Sequence, residues 1–407
     1  MDQAELERLR RRYDAIFEGV SPPFAFVDLD ALRANAKAMT AQADPLPIRI
    51  ASKSVRSLGV LRRIHELDER FRGVLSFTLP EALHLARQGI ENIFVGYPTV
   101  DRHALSELAG LAAERPDAHP ALMVDEVAHL DLVEQTAGRG ATPIRVAIDV
   151  DPSWWPARGR LARIGPKRSP IRTEAQARRL ADEVAARPGT RLVGAMAYEG
   201  QIAGVGDEVP GRPLRSAAIR AVQSRSLAEL GERLPRVIDA IRNAAGGELE
   251  WVNAGGTGSL GRSRDLGIAT ELTAGSGFYA PTLFDTYRSL DLTPAAFFCL
   301  PITRRPHPGI VTALGGGYVA SGAPGRDRLP TPWLPPGLGL DPQEGAGEAQ
   351  TPLVGAAARK LRVGDRVYMR HAKAGELCER FDSLHLVEGD RIVDEVATYR
   401  GDGHSFL

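Results

Sequence analysis

The chain has 407 residues, with 51 Lys plus Arg against 51 Asp plus Glu. It is too long for one small domain and lacks the net charge that would draw nucleic acid or an acidic membrane. Two cysteines, Cys299 and Cys378, cannot build a disulfide framework, no apolar run suits a transmembrane helix, and residues 1–19 lack a signal-peptide core, which together imply free thiols in a cytoplasmic protein.

Residues 1–22 read as a helical extension, with Arg8-Leu9-Arg10-Arg11-Arg12 on its polar face. Pro23 to Asp30 is strand-like but stands before the regular pattern, and it suits a partner in the C-terminal region. From Ile48 onward, short apolar runs alternate with helix-periodic stretches. The strand candidates are Ile48–Ser52, Gly73–Thr78, Asn92–Gly96, Ala121–Asp125, Ile144–Asp151, Arg191–Tyr198, Leu249–Asn253 and Glu271–Ala274. Helical periodicity marks Ser57–Asp68, Pro80–Gln88, Asp125–Gln135, Thr173–Ala186 and Arg215–Ala244, and more weakly Ala104–Ala113. Thr78-Leu79-Pro80 places proline in a first turn, and Thr173 precedes Glu174 as a cap. Strands that alternate with helices pair in parallel through crossovers. Eight such units predict an α/β fold, a closed (β/α)8 TIM barrel over residues 23–276, with an open doubly wound sheet as the alternative.

After Gly277 the pattern changes. Thr312–Gly322, Arg366–Arg370 and Leu384–Tyr399 read as strands with glycine-rich turns, and Glu388-Gly389-Asp390-Arg391 as a tight hairpin. Residues 277–407 therefore read as a second, mainly β domain, with Pro330–Pro352 as a long loop.

Catalytic groups of such barrels sit at the C-terminal ends of strands. Lys53 closes the first barrel strand, where desolvation would lower its pKa and free an amine for a Schiff base. Asn253-Ala254-Gly255-Gly256-Thr257-Gly258-Ser259 follows the seventh strand, and Ala274-Gly275-Ser276-Gly277-Phe278-Tyr279 follows the eighth. Loops at these two places are the usual phosphate site of the barrel, and glycine lets backbone N–H groups approach an anion. An amine and a phosphate cradle together are what pyridoxal 5′-phosphate (PLP) requires.

With these segments in view, the chain resembles the fold-type III PLP enzymes with an alanine racemase-like barrel, and among them the D-threonine aldolase and D-serine dehydratase branch. The resemblance runs from Phe24-Ala25-Phe26-Val27-Asp28-Leu29-Asp30 to Arg400-Gly401. It implies that Lys53 carries the cofactor. It matches Arg163 of Arg163-Ile164-Gly165 to an arginine at the cofactor's phenolic oxygen, and Tyr198-Glu199-Gly200-Gln201 to a Tyr-Glu-Gly-His segment beside the ring, with Gln201 in place of the histidine. It matches Gly255-Gly256-Thr257 and Gly275-Ser276-Gly277 to the phosphate-binding segments, and Phe381-Asp382-Ser383-Leu384 with Glu388-Gly389-Asp390 to the closing hairpin. Tyr279 packs between domains or donates to the phosphate, and Trp154 and Trp155 wall a pocket or cover the rim.

What the resemblance implies is a lyase acting as dehydratase or aldolase on a β-hydroxy D-amino acid, and a homodimer, with the small amino acid as its partner. A racemase, which needs a second acid/base on the opposite face, and a non-catalytic PLP carrier are the alternatives. The branch often binds a divalent cation through His-x-Asp or His-x-Cys. Here the corresponding stretch is His371-Ala372-Lys373, and a lysine ammonium repels a metal. The expectation is therefore no metal, with Tyr198, His371 and Lys373 joining Lys53 as catalytic groups and Lys373 partly replacing the cation. A metal on His371 with Cys378 or Glu376 is the alternative.

Overall fold

The computed structural model describes residues 2–137 and 142–407, so Met1 of the N-terminal extension lies outside it. Strands β1 to β9 are Phe24–Asp28, Ile48–Ala51, Phe71–Ser76, Ile93–Val95, Ala121–Val124, Ile144–Asp149, Thr190–Ala197, Trp251–Ala254 and Glu271–Ala274. Strands β2 to β9 pair in parallel and close into an eight-stranded barrel. Helices connect them on the outside, including one at Arg102–Glu114 where the periodicity was weakest.

Side-chain alternation along each strand separates two packed regions. Leu122, Val124, Val146 and Ile148 face the helices in the main core. Phe94, Ala121, Met123, Ala147, Val193 and Trp251 form a second buried cluster that fills the barrel. At the N-terminal end, Arg49 pairs with Glu271 (Nε–Oε1 2.6 Å) and donates to the Asn92 carbonyl (2.6 Å), so its buried charge is fully engaged. The helix caps follow the sequence. Thr78 accepts from the Glu81 amide with Pro80 in the first turn, and Thr173 forms a capping box with Gln176.

The second layer is a nine-stranded sheet. Its strands β10 to β17 are Ala296–His307, Ile310–Leu314, Thr331–Leu334, Gly339–Leu340, Gln350–Val354, Arg366–Arg370, Ser383–Glu388 and Arg391–Ala397. β1 sits inside this sheet, antiparallel to β10 and parallel to β16. β16 and β17 form the hairpin, turning at Gly389-Asp390 with Gly389 at φ +56°.

Two expectations are corrected here. β10, the longest strand of the sheet, went unread because Pro301 and Pro306 interrupt it, and proline argues against a central strand. Pro330–Pro352 is not a featureless loop: it holds β12, β13 and the start of β14, all short, with Pro332 inside β12 and Pro352 inside β14. The helix Gln3–Ile16 lies on the sheet through Tyr13 and Phe17, which pack on Phe24, Phe26 and Phe297. Its arginines are partly engaged: Arg12 pairs with Asp28 at 2.6 Å and Arg10 with Asp14 at 2.8 Å. No helix among the described residues is long and apolar enough to cross a membrane.

Candidate active site

The turn Ser52–Ser54 follows β2 directly and carries Lys53 to the C-terminal mouth of the barrel. Its Nζ donates to the Tyr97 hydroxyl at 2.8 Å. The expected desolvation of this amine is not found. Lys53 is exposed, because the turn projects it beyond the last buried residues of the strand. Tyr97, just past β4, is a site residue the sequence reading missed, although its place at a strand end was a usable signal. Burial pushes its phenol up, but the Lys53 ammonium and the Arg168 guanidinium outweigh that and bring it below its ordinary value.

Arg168 lies over the rings of both Tyr97 (5.5 Å) and Tyr198 (5.0 Å). Arg163 does not take that place. Its guanidinium stacks on Trp155 at 4.3 Å, beside Arg172 on the same indole at 4.6 Å. Trp155 is held by its Nε1 donating to Ser153 Oγ (2.7 Å), and Trp154 bridges to Ile164, so the two tryptophans shape the loop that keeps Arg163 on the rim. Burial drives the Tyr198 phenol up to about 12 despite Arg168, which keeps Tyr198 neutral near physiological pH. Gln201 turns away from these groups and donates to the Pro152 carbonyl (2.8 Å) and Ser226 Oγ (2.9 Å).

Asp149 ends β6 and, two residues after inward-facing Ala147, points into the barrel beneath the mouth. Burial, then the neighbouring Asp125, raises its carboxyl to about 8 even with Arg168 nearby. The folded protein thus holds a proton that the unfolded chain releases near its ordinary value, and stability falls as pH rises from about 4 to about 8. Asp149→Asn mimics the protonated form. Its melting temperature should exceed wild type by a margin that grows about 3 °C or more between pH 5 and 8. A constant margin in thermal melts would contradict this.

The two glycine-rich turns interlock with the Lys53 turn. The Gly277 amide donates to Thr257 Oγ1 (3.1 Å), and Ser276 Oγ meets Ser54 Oγ (3.1 Å). A Cβ at Gly275 would stand 2.6 Å from the Ala51 carbonyl oxygen, so glycine is needed for this approach. Gly255, at φ +81°, lies in the left-handed region. Glu199, also unassigned from sequence, organises the turn after β8. It accepts from the Gly255 amide (3.2 Å), from Ser259 Oγ (2.8 Å) and from Ser263 Oγ. Burial raises its carboxyl above the ordinary range, although these donors pull it back.

Gly256 is extended, and a Cβ there would lie 3.0 Å from Ala203 Cβ and 3.1 Å from Tyr198 Cε2, tight but movable. Gly256→Ala should therefore keep the fold while loosening retention of a phosphate ligand about tenfold or more. Parallel loss of both, in melts with and without PLP, would assign the turn a packing role only.

The β sheet covers the mouth through its 371–379 segment. Gly375, at φ +92°, packs where a Cβ would collide with the Lys53 carbonyl and stand 3.2 Å from Ser54 Cα. Lys373 Nζ donates to Ser321 Oγ (2.9 Å). Its pKa falls, first by burial and then, against the pull of Glu376, by the charges of Lys53 and Arg328.

His371, Tyr279 and Cys378 do not join the mouth. His371 is buried against the edge of Tyr279 (6.3 Å between rings), its pKa forced down to about 3 by burial and by Arg370. Both its ring nitrogens lack a hydrogen-bond partner among the described residues. The Tyr279 hydroxyl donates to the Val55 carbonyl (3.0 Å), as does Cys378 Sγ (3.3 Å), so this tyrosine packs between barrel and sheet instead of meeting a phosphate. The segment offers a divalent cation a poor donor set: Lys373 occupies the second position, and among the described residues no three His, Cys, Asp or Glu side chains gather as ligands.

Comparison with known proteins agrees with this architecture. A D-threonine aldolase of Arthrobacter sp is 26% identical over 259 residues, which is 63% of this chain and 60% of that protein. The 3-hydroxy-D-aspartate aldolase of Paracoccus denitrificans (strain Pd 1222) is 26% identical over the same shares, so the matched stretch spans about three fifths of these relatives. Among solved structures, the D-threonine aldolase from Filomicrobium marinum superposes with TM-score 0.78 at 23% identity, covering 94% of this chain and 96% of that one. The D-threo-3-hydroxyaspartate dehydratase from Delftia sp. HT23 gives 0.71 at 19% identity, covering 93% and 97%. Residues 27–258 match the family described as alanine racemase, N-terminal domain, and the chain belongs to that family.

Proposed function

We propose that the protein is a PLP-dependent lyase acting on a β-hydroxy D-amino acid. One observation carries this: the Lys53–Tyr97 pair stands at the barrel mouth, interlocked with two glycine-rich turns and covered by the segment that bears Lys373. The donor set suits the cofactor. Lys53 would supply the amine, the turns at Gly255–Thr257 and Gly275–Gly277 would hold the phosphate, and Arg168, lying over Tyr97 and Tyr198, would serve the ring where the resemblance gave Arg163. PLP supplies an electron sink for the pair left at the substrate's Cα.

The chain's own groups do the rest. Lys53 Nζ holds or moves the proton at Cα, with the Tyr97 hydroxyl as its hydrogen-bonded reserve. Lys373 offers N–H groups to the oxygen on Cβ, the role a metal would otherwise serve. Burial, with the charges of Lys53 and Arg328, lowers its pKa and so makes it a readier proton donor. The names of the relatives, D-threonine aldolase and 3-hydroxy-D-aspartate aldolase, support the substrate class. Incubation with D-serine and D-threonine, with assays for pyruvate, 2-oxobutyrate, ammonia, glycine and acetaldehyde, tests the proposal. Formation of either product set supports a lyase. Loss of optical activity with no such product would make it a racemase.

A further inference from the structure

The turn that carries Lys53 is bonded to residues far along the chain. The Val55 carbonyl accepts from the Tyr279 hydroxyl (3.0 Å) and from Cys378 Sγ (3.3 Å), and the Arg56 carbonyl accepts from the Tyr399 amide (2.9 Å). Ser57 Oγ donates to the Ala397 carbonyl at the end of β17 (2.7 Å). Arg56 is the pivot of this turn. Its φ of +49° lies in the left-handed region, which a residue with a Cβ keeps only where its surroundings over-determine it. Its side chain is 8% exposed and turns back so that Nε donates to the Lys53 carbonyl at 2.9 Å. Nη1 of the same guanidinium pairs with Glu379 Oε1, at the end of the 371–379 segment that bears Lys373. The Phe77 ring backs this guanidinium at 5.3 Å.

One planar cation therefore joins the backbone of the residue that carries the amine to the segment that carries Lys373. We propose that Arg56 is a positioning residue. Bound at once to the Lys53 carbonyl and to Glu379, it sets the direction in which the Lys53 amine leaves its turn and the separation of that amine from Lys373. The proposal rests on Lys53 being the amine that holds PLP. It adds Arg56 and Glu379 as residues that act through Lys53 rather than on the reacting atoms. Arginine suits the task because its rigid fork sends separate N–H groups to two acceptors, whereas a lysine is a point charge on a flexible stem. Placement matters at this amine, since a shift of about 1 Å at a reacting group can cost about a hundredfold in rate.

The test compares PLP-loaded wild type with Arg56→Gln, Arg56→Lys, Glu379→Gln and the double variant Arg56→Gln with Glu379→Gln. Three quantities are read: kcat and KM at saturating PLP for the β-hydroxy D-amino acid that is turned over, the rate at which hydroxylamine strips the cofactor's visible band, and the melting temperature. Arg56→Gln should lower kcat about thirtyfold or more, change KM by less than about threefold, and speed the hydroxylamine reaction about fivefold or more. Glu379→Gln should do the same to a smaller extent, and Arg56→Lys should recover part of the loss. The double variant should be no worse than Arg56→Gln alone, because both residues act through one linkage. Glu379 is 32% exposed, so its variant keeps the test open even where Arg56→Gln fails to fold. Unchanged kcat and hydroxylamine rate in the neutral variants, a fall in melting temperature alone, or a double variant equal to the product of the single effects would each overturn the proposal. Failure of the underlying reading looks different: wild type itself would lack a band that hydroxylamine removes, or reduction would place the pyridoxyl group off Lys53.

Discussion

Lys53→Ala should lower turnover of a β-hydroxy D-amino acid by about 10³-fold or more and leave the protein without a covalently held cofactor. Two functions that the proposal assigns to one amine would vanish together: attachment of PLP and proton transfer at Cα. Lys53 is exposed, and its backbone rather than its side chain meets Gly375, so the fold should survive with a melting temperature near wild type. The rate is read in saturating PLP, to separate lost chemistry from lost cofactor. Activity within tenfold of wild type would remove Lys53 from the centre of the mechanism.

Glu199→Ala should be the most damaging change outside Lys53. The carboxylate is fully enclosed and gathers the Gly255 amide with the Ser259 and Ser263 hydroxyls. Its removal leaves several buried donors without an acceptor, each costing about 1–3 kcal/mol. We expect PLP to bind about a hundredfold more weakly, with a lower melting temperature that excess PLP partly restores. Glu199→Gln keeps one acceptor oxygen and should fall between. Because Glu199 positions the turn and does not touch the reacting atoms, kcat at saturating PLP should drop far less than cofactor affinity. Equal drops in kcat and affinity would mean a direct role in the chemistry.

Much of the barrel was legible because each strand is a short apolar run bounded by polar caps, as with Ile48–Ala51 ahead of the Ser52–Ser54 turn. The sheet was less so. Its longest strand, β10, is broken by Pro301 and Pro306, and its companions β12 and β13 span only four and two residues. In the site, Lys53 could be singled out only from its strand end taken together with the two glycine-rich turns after β8 and β9. Arg163 was matched from its Arg-Ile-Gly segment and Arg168 went unread, since only the fold shows Trp155 drawing Arg163 to the rim and Arg168 over Tyr97 and Tyr198. His371 sits next to the sheet-derived Lys373 in sequence, yet burial against Tyr279 separates their fates. Spacing gives a neighbourhood, and only packing gives the direction of a side chain. Tyr97 and Glu199 carry no repeat or charge cluster to mark them. Their importance comes from the partners that folding brings, Lys53 to one and the Gly255 turn to the other.

If PLP binds as proposed, two amines at this mouth could take its aldehyde, Lys53 and Lys373. Lys373 has a pKa lowered by burial and stands close enough to feel Lys53, so it is a chemically credible rival. Borohydride reduction of the PLP-loaded protein, followed by peptide mapping, separates them. The pyridoxyl group should be found on the peptide containing Lys53, next to Ser52 and Ser54. Modification of Lys373 instead, or of no lysine at all, would contradict the assignment on which the proposed function rests.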